Sequence, residues 1–150
     1  MNEKNDTSSQ HVRSVFVAMP FASEFENVFD FGIQLPLEAQ GYAAIRTDKH
    51  PFTGSVVEEI QRRIRESSFV IADISASNPN VLFELGYALG CDKPSVIICR
   101  RGDDLPFDVS GMSTILYDPL VIRELKNTIA HLLREMSSRE RASEDTAGDQ

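Results

Sequence analysis

The chain lacks any apolar run approaching the roughly 18 residues needed to span a bilayer, which predicts a protein with no membrane partner. It has only two cysteines, Cys91 and Cys99, and their separation fits no metal-ligand pattern. Residues 1–13 contain no apolar stretch of the kind a secretory leader needs. The expectation is therefore a cytoplasmic chain with two reduced, buried thiols. His11, His50 and His131 are scattered, giving neither a catalytic dyad nor metal spacing, so no metal and no cofactor are expected. No glycine-rich phosphate loop follows the first apolar run. Met19-Pro20-Phe21 stands there instead of a P-loop or dinucleotide fingerprint, which argues against nucleotide-triphosphate hydrolysis. Positive charge is also short: 15 basic residues face 23 acidic ones, and the formal charge of −8 disfavours a surface that tracks duplex nucleic acid. A nucleotide ligand should be small and held in a pocket.

What is present suits one domain, since 150 residues at 41% hydrophobic content are enough for a single core and too few for two. Residues 1–12 are polar and predict a flexible N-terminal tail. Residues 13–137 form the expected domain, and residues 138–150, with Glu140, Glu144, Asp145 and Asp149, predict a second flexible tail. No internal repeat is visible.

Within the domain, apolar runs alternate with helical periodicity. Residues 14–19, 42–46, 68–73, 95–99 and 113–117 predict strands. Residues 23–40 carry Phe25, Val28, Phe29, Ile33 and Leu37 at helical spacing, with Pro36 expected to kink or shorten that helix. Residues 56–66 predict an amphipathic helix capped by Ser55, with solvated Glu58/Arg62 and Glu59/Arg63 pairs. Helices are also expected over residues 80–91 and 120–136. The alternation predicts an α/β fold: a flavodoxin-like or Rossmann-like doubly wound sheet of about five mainly parallel strands, with helices on both faces. Small ligands bind such sheets outside the carboxyl ends of the strands, which directs attention to the loops after Met19, Arg46, Asp73 and Cys99.

Glu84 is the first candidate for chemistry. Residues 81–89 are apolar on every helical face except at this carboxylate, which must meet a partner, a cavity or a narrow solvent stripe beside Asn80 and Tyr87. Asn78-Pro79-Asn80 opens the same helix with an amide cap and an early proline, so its backbone N–H groups are expected to face the strand ends, where a phosphate or ribose can sit. Asp73 ends the third strand, either facing the crevice or capping the turn that follows. Arg46 and Asp48 flank the end of the second strand, within reach of a phosphate and a sugar or simply solvated. Met19, Pro20 and Phe21 complete the expected binding residues.

Phe83-Glu84-Leu85-Gly86-Tyr87-Ala88-Leu89, followed by Lys93-Pro94 and an apolar strand, resembles the nucleoside 2-deoxyribosyltransferase superfamily over roughly residues 15–116. The resemblance implies that Glu84 is the nucleophile. Asn78 stands where the transferases carry an acid, and a further acid of theirs falls at Ile60, beside Glu59. Met19-Pro20-Phe21, Ile71-Ala72-Asp73 and Asn78-Pro79-Asn80-Val81-Leu82-Phe83-Glu84 also resemble bacterial TIR-like proteins, in which a helix glutamate can cleave NAD. Both likenesses imply a nucleoside, nucleotide or NAD ligand and cleavage at an N-glycosidic bond, with Asp73 or Asp48 assisting the departing base. The alternative they leave open is a non-catalytic nucleotide-sensing or TIR-like association module. Because related transferases complete their sites across subunits, the resemblance also implies a homo-oligomer.

Overall fold

β-branched and aromatic residues dominate five short segments, and each forms a strand: β1 (Arg13–Ala18), β2 (Tyr42–Ile45), β3 (Phe69–Asp73), β4 (Ser95–Arg100) and β5 (Thr114–Tyr117). In the computed structural model, which describes residues 12–148, they make one sheet in the order β2-β1-β3-β4-β5. Every neighbouring pair is parallel. This is the flavodoxin-like arrangement, in which the strand order reverses between β1 and β3. The tail expected at the N-terminus falls, up to residue 11, outside the described residues.

Strand side chains alternate between two cores. Val15, Val17, Phe69 and Ile71 share one face with Phe29, Ile33 and Leu37 and with Leu125, Ile129 and Leu133. Phe16, Ala18, Val70 and Ala72 share the other with Ile64, Val81, Leu85 and Ala88. Helices α1 (Leu35–Ala39) and α4 (Ile122–Ala147) therefore cover the first face, and α2 (Val56–Glu66) and α3 (Pro79–Gly90) cover the second.

The helix expected over residues 23–40 is broken into a 3₁₀ turn (Ser23–Phe25), a π-helical stretch (Val28–Gln34) and α1. Pro36 explains the break, because it has no N–H to donate and its ring crowds the carbonyl of Gly32, so the chain widens ahead of it. Gly32 also lets α4 come close: a Cβ there would stand 2.8 Å from Leu125 Cδ2.

Ser55 caps α2 as expected, accepting from the Glu58 N–H at 3.4 Å. Glu59 and Arg63 pair at 2.8 Å, whereas Arg62 turns from Glu58 to Glu59 and Glu66. Helix α4 continues to Ala147, past the boundary expected at residue 137. Its last turns are polar all round and give no apolar stripe. They hold through local helix formers such as Arg139, Arg141 and Ala142 and through an ion pair of Glu140 with Arg13 at 3.0 Å. Of the two thiols, Cys99 is buried and Cys91 is exposed at the end of α3, where the helix turns to solvent. No helix among the described residues is long and apolar enough to cross a membrane.

Candidate active site

The loops after β1 and β2 and the first turns of α2 and α3 meet around a cleft of about 270 Å³. It lies at the carboxyl ends of the strands, beside the β1/β3 reversal where this sheet type takes its ligands. Met19 and Phe21 line it from the loop after β1, Thr47 from the loop after β2, Val56, Val57 and Ile60 from α2, Asn78 as the cap of α3, and Asn80, Val81, Phe83 and Glu84 from α3 itself. The walls are mostly apolar, with a few polar groups converging, as in small-molecule sites.

Glu84 is the only titratable side chain among these lining residues. It is 7% exposed, on the same helix as the buried Val81, Leu85 and Ala88. Among the described residues nothing donates to its carboxylate, and burial alone lifts its pKa from 4.5 to about 7. Desolvation penalises the charged form, and no neighbouring cation or donor restores it. The sequence anomaly is thus resolved in favour of the cavity over a solvent stripe.

The start of α3 differs from the expectation of free backbone donors. Asn78 Oδ1 accepts from the N–H of Asn80 at 3.0 Å and of Val81 at 3.3 Å, Leu82 N donates to the Asn78 carbonyl at 3.1 Å, and Pro79 has no N–H. The first turn is satisfied within the chain. Upstream, Ala76 and Ser77 adopt left-handed backbone angles, φ 60° and 47°, a strain that non-glycine residues carry only when neighbours impose it. Here Asp103 Oδ2 accepts the Ala76 N–H at 2.8 Å and fixes the turn that delivers Asn78 to the cleft.

Asp73 is fully buried and lies away from the cleft lining. Strand alternation puts it on the face of Phe69 and Ile71, opposite the face that α3 covers. Tyr117 donates to its Oδ2 at 2.6 Å, and the Ser75 hydroxyl and N–H donate to its Oδ1 at 2.5 and 3.0 Å. Burial pushes its pKa up, against the pull of those hydrogen bonds. It caps the turn after β3 and bridges β3 to β5. Of the two readings left open for it, the geometry supports the cap.

Arg46 and Asp48 are turned inward on each other. Arg46 is fully buried, and its Nε and Nη2 donate to the two Asp48 oxygens at 2.6 Å each, while Nη2 also meets Glu26 at 3.1 Å. Its guanidinium stacks between Phe29 at 4.9 Å and Phe21 at 5.2 Å. This arrangement sets the Phe21 ring against the buried guanidinium, with Nε and Nη2 committed to carboxylates and Nη1 facing Met19 Sδ at 3.8 Å. Pro20 is likewise absent from the lining, which passes from Met19 to Phe21.

Six lining residues were not among the expected site residues: Thr47, Val56, Val57, Ile60, Val81 and Phe83. Val56 and Val57 carried a signal, since α2 needs only one of these consecutive valines for its buried stripe, and they remain 59% and 48% exposed. Ile60, where the resemblance placed a further acid, gives the cleft an apolar wall, and the adjacent Glu59 is held by Arg62 and Arg63. Among the described residues no three His, Cys, Asp or Glu side chains gather as metal donors.

No family profile matches this sequence, and no curated protein matches it. Solved structures do resemble it. The TIR domain of a Toll-related receptor from Hydra magnipapillata superposes with a TM-score of 0.62 at 20% identity, covering 80% of this chain and 97% of that one. A CMP N-glycosidase from Clostridium botulinum superposes with a TM-score of 0.57 at 20% identity, over 75% of this chain and 98% of that one. A 2-deoxyribosyltransferase from Leishmania mexicana gives a TM-score of 0.49 at 20% identity, over 58% and 64% of the respective chains. The first two share with this protein a doubly wound α/β fold.

Proposed function

We propose that the protein cleaves, or transfers at, the N-glycosidic bond of a nucleoside-type substrate, with Glu84 as nucleophile. The observation that carries this reading is the Glu84 carboxylate, without a partner among the described residues, on a side chain only 7% exposed in the wall of a cleft at the sheet's ligand-binding end. A CMP N-glycosidase built on the same fold supports it, as does the Glu-Leu-Gly-Tyr-Ala segment around Glu84.

In the first step a Glu84 oxygen bonds to the anomeric carbon as the carbon–nitrogen bond breaks. The bonding pair leaves with the base, which takes a proton from solvent. In the second step water or an acceptor base attacks the same carbon, releases its proton to solvent, and frees the Glu84 carboxylate. The apolar walls formed by Met19, Phe21, Ile60 and Phe83 exclude water and strengthen the attraction between the carboxylate and a developing oxocarbenium ion. In this reading Asn78 and Asn80, which line the cleft at the start of α3, hold base or sugar through their side-chain amides.

The test is base release from a panel of nucleosides, their monophosphates and NAD, comparing wild type with Glu84→Gln. Release by wild type and its loss in the variant support the reading. The second reading, a ligand-sensing module, is favoured by one feature: among the described residues the cleft lining offers no second acid to assist the departing base. Tight binding without base release by wild type would establish it. Self-association belongs to either reading, since the half-exposed Phe83 ring at the cleft offers a second copy an apolar contact, and sedimentation velocity checks it.

A further inference from the structure

Two helices begin at the cleft, and their first turns are satisfied differently. At α3 nothing is left over: Pro79 has no N–H, Asn78 Oδ1 accepts from Asn80 and Val81, and the Asn78 carbonyl accepts from Leu82. At α2 the cap takes only the later donors. Ser55 Oγ accepts from the Glu58 N–H at 3.4 Å, and the Ser55 carbonyl accepts from the Glu59 N–H at 3.1 Å. The N–H groups of Val56 and Val57, both lining residues, have no acceptor among the described residues. They bring the partial positive charge of an 11-residue helix to the cleft wall.

The acid in the same cleft calls for such a counterpart. Glu84 is 7% exposed, lines the cleft from α3, and has no partner among the described residues. When one of its oxygens bonds to an anomeric carbon, its negative charge passes to the electron pair of the breaking carbon–nitrogen bond and departs with the base. In-line displacement sets that base on the side of the carbon away from the nucleophile. Val56, Val57 and Ile60 of α2 form a wall that does not carry Glu84. No Lys, Arg or His is among the lining residues, and none of the α2 residues there holds a proton to give. The base therefore departs before it is protonated.

From this asymmetry we infer that the start of α2 is the leaving-group site. The Val56 and Val57 N–H groups donate to the oxygen or ring nitrogen on which the departing base collects its charge, and hold it as an anion until solvent protonates it. The inference rests on the reading of Glu84 as nucleophile, and it adds a substrate class to that reading. The favoured substrates carry an oxo-base, such as uracil or hypoxanthine, whose anion is spread over ring nitrogen and carbonyl oxygen. A base that is already positive, as in NAD or a 7-methylpurine nucleoside, leaves as a neutral molecule and gains nothing from these donors. Its positive ring is also repelled by the helix start before the bond breaks.

Val56→Pro tests this by deleting one donor while keeping the helix. Proline suits the first helical position, and Ser55, at φ −70° and ψ 121°, already has the extended backbone that precedes a proline. Val56→Ala trims the same side chain and keeps the N–H. Base release is measured for inosine against 7-methylinosine, and for uridine against 5-fluorouridine, whose base is the more acidic. Each is supplied in ribo and 2′-deoxyribo form and as the 5′-monophosphate. In Val56→Pro the inosine to 7-methylinosine ratio of kcat/KM should fall by about a hundredfold, the effect of losing one such donor. Uridine should lose more than 5-fluorouridine, and Val56→Ala should hold both ratios at their wild-type values. Wild type alone should accelerate inosine more than 7-methylinosine, each relative to its reaction in water. Unchanged ratios in Val56→Pro, with Glu84→Gln inactive, overturn the inference and leave the nucleophile standing. Equal acceleration of inosine and 7-methylinosine by wild type overturns it without any variant. Release that survives in Glu84→Gln, with the ratio still falling in Val56→Pro, overturns the nucleophile and supports the leaving-group site. No base release from any substrate overturns both.

Discussion

Glu84 and Asp73 are both buried carboxylates, one on each side of the same sheet, and their surroundings have nothing in common. Asp73 accepts from Tyr117 and twice from Ser75, and the Ser75 hydroxyl in turn accepts from the Arg100 N–H at 2.8 Å, so β3, β4 and β5 are tied through one acid. Glu84 accepts from nothing among the described residues, and its pKa rises to about 7 by burial alone. Burial therefore does not by itself nominate an acid for chemistry. What nominates Glu84 for the proposed role is burial beside a cavity with the donors withheld, because a carboxylate already satisfied by its own chain has little left to offer a substrate.

Substitutions can break this contrast, and the largest effect belongs to the cleft. Glu84→Gln keeps shape and burial but removes the proposed nucleophile, so under that proposal base release should fall by about a thousandfold or more while the folded state persists by circular dichroism. Asp73→Ala should act in the opposite currency. It leaves the Ser75 and Tyr117 donors buried without an acceptor, with an expected loss of about 4 kcal/mol in urea unfolding. A loss below about 1 kcal/mol would show that the Asp73 network is not the structural tie described.

The pH dependence of stability sharpens the same comparison. Glu84 holds its proton up to about 7 in the folded protein, against 4.5 in an ordinary carboxyl, so folding takes up a proton between those values. Its contribution is fully present below about 4.5 and is lost as pH rises through about 7. Glu84→Gln lacks that loss and should be more stable than wild type at pH 8 by on the order of 3 kcal/mol, with the difference gone at pH 4. A pH-independent difference would mean that the carboxyl has a partner. Smaller still, Tyr117→Phe removes one of the donors to Asp73 and should cost about 2 kcal/mol, read from the same unfolding curves.

The contrast between the two acids was only half legible in the sequence. Glu84 stood out because residues 81–89 are otherwise apolar on every helical face, and no tertiary information was needed to see that its carboxylate required an explanation. Asp73 could not be resolved, since Phe69-Val70-Ile71-Ala72-Asp73 is apolar throughout and a strand buried on both faces shows no alternation to say which way its last residue points. The strand order was inaccessible beyond its class for a similar reason, although the alternation of elements sufficed for a parallel sheet. Arg46 and Asp48 looked available because their third partner, Glu26, comes from a separate segment of chain. Asn78 was visible as a cap, but that its side chain would take two donors is a matter of rotamer and turn geometry. The extra length of α4 was hidden because its last turns have no apolar stripe and depend on local propensity and on Arg13.

The most direct test of Glu84 as nucleophile is covalent trapping with a nucleoside whose sugar carries fluorine at the 2′ position, which slows breakdown of a glycosyl ester. Mass spectrometry of the digested protein should show the sugar's mass added to the peptide containing Glu84 and absent from Glu84→Gln. Base release from that analogue with no adduct on the Glu84 peptide, or with the adduct on another residue, would contradict the account.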